Sequence, residues 1–258
     1  MSEKNRDGKR TARERLAAER EKQKAADKRR RALIVGASIV CVLALAAVGG
    51  VLAANAGKSG KSGAAGPVVA PSGATGKDGL AIPVGKGSAR SALTVWEDFR
   101  CPACGAYEAA YRPTIHQLVD AGKLKAEYHL VTLIDGNLGG SGSRHAANAA
   151  ACAQDAGKFR DYHDVLYENQ PKETQDSYSD DSKLIELAGK VGGLRTPAFE
   201  KCVRDGTHNS WVEKSNAAFQ SASFTGTPTV FLDGKNISSD QTMTPAKLKQ
   251  MVEAANKG

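Results

Sequence analysis

The chain has 258 residues, 41% of them hydrophobic and 25% charged, enough for one sizeable domain with appendages or for two small domains, and against a polytopic membrane protein. Its net charge of +8 sits at one end: residues 1–31 hold 13 Lys/Arg and 6 Asp/Glu, and the remainder is balanced at 23 to 22. That distribution argues against a nucleic-acid-binding surface, and the basic arm has no aromatic residue to stack on bases.

The arm, residues 1–31, reads as a topology signal with some affinity for anionic lipid. Residues 32–54 follow without a single charge. As a helix they would extend roughly 34 Å, enough for a hydrocarbon core of about 30 Å. Basic residues on the N-terminal flank, ending in Arg29-Arg30-Arg31, put that flank in the cytoplasm. The reading is a single-pass cell-membrane protein with its main domain outside. A cleaved signal peptide competes, because Ala54-Asn55-Ala56 fits a cleavage pattern. The long apolar run and the 31-residue basic region favour an uncleaved anchor. Both deliver the domain to the same side. Residues 55–79, mostly Gly, Ala, Ser and Pro, read as a flexible tether.

The folded domain is expected over residues 80–258. A strand over 92–99 leads straight to Cys101, followed by a helix over 102–121 and a strand over 124–133. A helical block follows, in segments 143–155, 158–169, 181–190, 197–205 and 209–221. Residues 228–232 read as a strand, and Asp233-Gly234 as the turn of a hairpin into Asn236–Ile237. Thr244 should cap a last helix with Pro245 at its first position. This order describes an α/β fold whose sheet is interrupted by a helical insertion at about 143–223.

The chemistry concentrates in Cys101-Pro102-Ala103-Cys104, at the strand-to-helix junction. A thiol there faces unpaired backbone N–H groups and the positive end of the helix dipole, which stabilise its thiolate. Two intervening residues let the pair close a small disulfide, and Cys104 can attack a mixed disulfide formed at Cys101. Half a zinc site and an inert staple are the bland alternatives. Zinc lacks a second pair of ligands, and a staple needs no such junction.

The segments DFRCPAC at 98–104, ACAQDAGKFRDYHDVLYENQ at 151–170 and FTGTPTVFLDG at 224–234 resemble the DsbA-like branch of the thioredoxin superfamily. The resemblance covers about two-thirds of the chain, from residue 92 onward. It implies a thioredoxin-like fold with an inserted helical subdomain, Cys101 as the attacking thiol and Cys104 as the resolving one. It further implies that Pro228 is a cis-proline facing the pair, with Thr227 before it, and that their backbone pairs with an extended substrate. The implied activity is oxidation of cysteine pairs in secreted proteins, with reoxidation by a membrane partner of the DsbB or VKOR type. A reductase or isomerase on the same fold, and a non-catalytic binding or chaperone module, are the rival readings. No metal or organic cofactor is implied.

Two positions depart from the family pattern. The acidic residue often found six positions before the first cysteine is replaced by Val95. Glu97 shares that strand face and is a candidate proton relay, with a solvated or ion-paired glutamate as the alternative. Ala103 stands where the strongest oxidants of the family have His, which points to a milder oxidant. Elsewhere, Cys152 and Cys202 should pair in an oxidising compartment, two free buried thiols being the alternative. Cys41 lies in the apolar span. The five histidines show no metal spacing; His163 reads as a packed or helix-bonded residue, and Trp96 and Trp211 as core.

Overall fold

The computed structural model describes residues 67–257. The basic arm, the apolar span and residues 55–66 of the tether lie outside the described residues. Among the described residues, no helix is long and apolar enough to cross a membrane.

The centre is a five-stranded sheet in the order β1-β3-β2-β4-β5, where β1 is Ile82–Val84, β2 Ser91–Glu97, β3 Leu124–Leu130, β4 Thr229–Leu232 and β5 Lys235–Asn236. Only β2 and β3 run parallel. Their connection is helix α1, Pro102–Asp120, which is the crossover a parallel pair requires. Between β3 and β4 lies the helical insertion: α2 Leu133–Leu138, α3 Gly142–Asp155, α4 Phe159–Glu168, α5 Asp181–Ala188, α6 Pro197–Asp205 and α7 Asn209–Ser221. Helix α8, Pro245–Ala255, ends the fold and packs on α1.

Both faces of the sheet are covered, and the strand alternation shows how. Leu93, Val95 and Glu97 of β2 are fully buried on one face. On the other, Trp96 stacks on His129 of β3 at 3.9 Å and meets Phe219 of α7 at 6.0 Å. Trp211 is fully buried, as its expected core role requires. The helices start where their sequences say. Thr196 Oγ1 accepts from the Phe199 amide at 3.2 Å and Thr244 Oγ1 from that of Lys247 at 3.1 Å, each followed by proline at the first helical position.

Three expectations need correction. The strand expected over 124–133 stops at Leu130, because the Ile134 amide is captured by Asp98 Oδ2 at 2.8 Å and the chain turns into α2. The insertion therefore begins at Leu133. The short β1 was not anticipated, three residues around Pro83 being too few to show a period. The packed body also begins before residue 80. The carbonyl of Val69 contacts His208 Nδ1 at 2.9 Å, the Ser72 amide donates to Asp155 Oδ1 at 2.7 Å, and the carbonyl of Gly79 accepts from Trp211 Nε1 at 2.7 Å. Small residues give this segment no apolar signal of its own, and its partners lie far along the chain.

Cys152 of α3 and Cys202 of α6 form a disulfide across 50 residues of sequence. Chain entropy assigns a loop of that length about 4 kcal/mol of stabilisation. Replacing both cysteines by serine should therefore lower the unfolding free energy by roughly that amount in a urea titration, with the secondary structure retained.

Candidate active site

The loop from β2 to α1 is built around Asp98, which is fully buried. Its Oδ1 accepts from the Arg100 amide at 2.8 Å, and its carbonyl accepts from the Cys101 amide at 3.0 Å. Burial, opposed by hydrogen bonds from the amides of Ile134 and Arg100, pushes the carboxyl up to about 7. Arg100 is 2% exposed and pairs with Asp135 at 2.6 Å and Asp176 at 2.8 Å, while donating to the carbonyls of Gly139 and Glu173. Gln170, just beyond α4, sends Nε2 to the carbonyls of Phe99 and Cys101, both at 2.9 Å. Its side chain lies against Gly105, where a Cβ would collide with it. The insertion thus holds the loop from two sides.

Cys101 occupies the cap position of α1, with extended backbone at φ −73° and ψ 118°, and Pro102 opens the helix. Both Cys101 and Cys104 are thiols. Cys101 retains 7% exposure and Cys104 none. The two are driven in opposite directions. A hydrogen bond from Cys104 pulls Cys101 down to about 6 against the effect of burial, helped by Thr227 and by the amides of Cys104 and Ala103. Burial, the hydrogen bond to Cys101 and the nearby charges of Cys101 and Glu97 push Cys104 well above the ordinary thiol range. One sulfur is thereby suited to be a stable thiolate and a good leaving group, the other a protonated thiol.

The Thr227–Pro228 peptide bond is cis, and the Thr227 carbonyl accepts from the Cys101 thiol at 3.4 Å. Thr227 and Pro228 line an open cavity of about 400 Å³ that continues along Phe224, Gly226 and Ser238. A smaller cavity of about 180 Å³, also bordered by Pro228, is walled by Tyr107, Tyr111, Ile237 and Met243. The cysteine that would be attacked thus stands beside an accessible, partly apolar groove.

These observations can be set beside known proteins. The sequence profile of the thioredoxin family matches residues 77–254. The chain belongs to that family. Disulfide bond formation protein D of Bacillus subtilis is 26% identical over 178 residues, covering 68% of this chain and 77% of that one. Among solved structures, the reduced disulfide bond oxidoreductase DsbG of Mycobacterium tuberculosis superposes with a TM-score of 0.61 at 29% identity, covering 70% of this chain and 90% of that one. Oxidised BdbD of Bacillus subtilis gives 0.57 at 26% identity, with coverages of 68% and 92%. This thioredoxin-family chain is a DsbA-like protein disulfide oxidoreductase with a helical insertion in its α/β fold.

Glu97 lies fully buried on the strand face that alternation assigned to it, and it is bonded to His163 Nε2 at 2.7 Å. His163, expected only to pack or bond within its helix, is brought by the fold into contact with Glu97 and close to Glu108. Among the described residues these three form one of two groups whose ligating atoms lie within 4.8 Å of one another; the other uses the sulfurs of the Cys152–Cys202 disulfide. The histidines' spacing in sequence gave no hint of it, since Glu97 and His163 are 66 residues apart. Gln170 and Arg100 were also missed, although both fall inside the family-like segments.

The opposed shifts give a direct readout. The reduced protein should be alkylated by iodoacetamide at a single fast site, Cys101, with a rate that rises through about pH 6 and is level by neutral pH. Cys104 should stay unmodified throughout until denaturant is added. A fast phase that only begins to rise near pH 8.5, the ordinary thiol value, would contradict this site.

Proposed function

We propose that the protein oxidises cysteine pairs in polypeptides outside the cytoplasm, with Cys101 as the attacked sulfur and Cys104 as the resolving one. The observation that carries the direction is the opposed poise of the two thiols. A Cys101 thiolate held at about 6 stabilises the reduced form, and the more stable the reduced dithiol, the more readily the disulfide accepts electrons.

The cycle starts from the Cys101–Cys104 disulfide. A substrate thiolate bonds to Cys101 Sγ, the intramolecular S–S bond breaks, and its electron pair leaves on Cys104, which is then protonated. A second substrate thiolate attacks the substrate sulfur of the mixed disulfide. The product disulfide departs, and Cys101 leaves as a thiolate. Thr227 and Pro228, which flank the sulfur and line the groove, receive the extended substrate segment.

Residues 32–54 anchor the protein with residues 1–31 in the cytoplasm, and the tether after them holds the domain near the membrane. A membrane reoxidase of the DsbB or VKOR type would restore the disulfide, and tethering raises the encounter rate. Ala103, in place of the His of the strongest oxidants, makes the protein a milder oxidant.

A trap distinguishes this from a non-catalytic module. Charged at Cys101 as its mixed disulfide with glutathione by reaction with glutathione disulfide, the Cys104→Ala variant should exchange glutathione for a cysteine of a reduced polypeptide and accumulate mixed disulfides, seen as high-mass species that collapse on adding dithiothreitol. The Cys101→Ser variant should form none. Turnover of a reduced model substrate should fall at least 100-fold in either variant; activity surviving in Cys101→Ser would remove the redox reading.

A further inference from the structure

Residues 67–74 cross the insertion as a strap before the chain joins the sheet. Of residues 67–73 only Pro71 is buried, and Val68 and Val69 stay exposed. Little apolar burial is therefore available to hold the strap. Hydrogen bonds to four side chains hold it instead. Ser210 Oγ donates to the Pro67 carbonyl and accepts from the Val69 amide, both at 3.3 Å. Gln154 Nε2 donates to the Ser72 carbonyl at 2.9 Å, and Asp155 Oδ1 accepts from the Ser72 amide at 2.7 Å. The fourth is His208, 1% exposed, set between the Val69 carbonyl and Asp155.

The partners of the His208 ring decide its charge. Nδ1 lies 2.9 Å from the Val69 carbonyl, and Nε2 lies 2.9 Å from Asp155 Oδ2. A peptide carbonyl can only accept, so Nδ1 carries a proton. The Asp155 side chain is 38% exposed and keeps its charge in water, and an ionised carboxylate can only accept. Nε2 therefore carries a proton too, and the ring is an imidazolium. A neutral histidine has one N–H, and would leave a lone pair facing either the strap or the carboxylate. The covalent frame sets this pair in place. Asp155 follows Cys152 by three residues, His208 follows Cys202 by six, and the disulfide joins the two segments. Asn148 adds a further tie, with Oδ1 accepting from the His208 amide at 2.8 Å.

We propose that His208 and Asp155 form a charged latch on residues 67–74, and that loss of one ring proton to solvent frees the strap and lengthens the tether. With one proton gone, the ring can no longer donate to both the Val69 carbonyl and Asp155, and the strap loses its buried anchor. Opening stops at Thr75, which exchanges two backbone hydrogen bonds with Ala81 at 2.8 and 2.9 Å. The eight residues released, at about 3.3–3.6 Å each, add on the order of 25 Å of chain. That length matters because α3 carries the latch at its last residue. Its first residue, Gly142, bonds to Asp176, the partner of Arg100 beside Cys101. The 14 residues of α3 separate the two ends by roughly 20 Å. The chain gained is thus comparable with the distance from the docked strap to the redox loop. This consequence for reach rests on the anchored-oxidase reading above; the latch itself does not.

The groups facing His208 leave its charge to this one contact. From α3 come Asp155, Asn148 and Cys152, and from α6 Cys202. The two sulfurs lie within 4.8 Å of a ring nitrogen, and as a disulfide they hold no proton to exchange. The strap offers a carbonyl, and residues 67–74 contain no ionisable side chain. Among the described residues, neither His208 nor Asp155 makes another salt bridge. The ring therefore gains or loses its second proton against Asp155 alone.

The test is amide hydrogen–deuterium exchange of the full-length protein in detergent, read on peptides covering residues 67–74 and corrected for the intrinsic rate at each pH. His208→Phe keeps a ring in the buried site but has no donor. It should lower protection of the strap about tenfold, the order expected for losing a charge-assisted hydrogen bond. Peptides from β2 and β3 and the alkylation rate of Cys101 should stay as in the wild type. In the wild type the same loss should appear as the pH is raised and His208 gives up one proton, the ring's state being read from its own slow deuterium uptake at Cε1. His208→Phe should show no such step. A strap as well protected in His208→Phe as in the wild type would overturn the latch, and so would a strap that opens only with the whole fold. If His208→Phe does not fold, the wild-type profile decides: protection of 67–74 that stays level while His208 titrates refutes the proposal. The exchange does not depend on redox chemistry. A strap that opens as described while Cys104→Ala traps nothing would sink the oxidase reading and leave the latch standing.

Discussion

The chain leaves β2 at Glu97 and must turn into α1 within four residues, and it does so around one buried carboxylate. Asp98 receives the amides of Arg100 and Ile134, so the same group bends the redox loop and starts the first helix of the insertion. Arg100 and Gln170 then fix the loop to the insertion by charge and by hydrogen bonds to carbonyls. Cys101 is held at the open end of α1, where the amides of Ala103 and Cys104 favour a negative sulfur. With the loop displaced, those amides and the Thr227 carbonyl would no longer converge on one atom.

The insertion is consequently part of the redox machinery rather than an appendage. Helix α4 contributes His163 to the buried cluster, and Gln170 follows directly after its end. The segment beyond supplies Asp176, which pairs with Arg100 and also receives the amides of Ser141 and Gly142 at the start of α3. The Cys152–Cys202 disulfide ties α3 to α6 and so stiffens the scaffold that carries these contacts. Residues 67–79 dock on the same subdomain through His208, Asp155 and Trp211. Where a tether enters the body therefore depends on the insertion as well.

Much of this was legible because it is local. Pro102 after Cys101, Thr196-Pro197 and Thr244-Pro245 mark helix starts by chemistry confined to adjacent residues, and α6 and α7 have the ends that period and capping assign. Alternation along β2 placed Glu97 on the buried face with Val95. What stayed hidden depends on distant partners. Helix α2 starts because of a carboxylate 36 residues earlier, and the docked segment 67–79 is held by side chains more than 80 residues later. Glu108 reads in sequence as one more charge on a helix. Only the fold turns that helix face inward and shows that Glu97 and His163 wait there.

The central claim is that the Cys101–Cys104 pair is poised to accept electrons, and the equilibrium reduction potential tests it most directly. Equilibration of the intact protein in detergent against glutathione, read by the fraction of free thiol, gives the value. A potential of about −120 to −180 mV is the expected result for an oxidase with a stabilised Cys101 thiolate. A potential near about −270 mV would mean that the disulfide is the favoured state and that electrons flow the other way, contradicting the account.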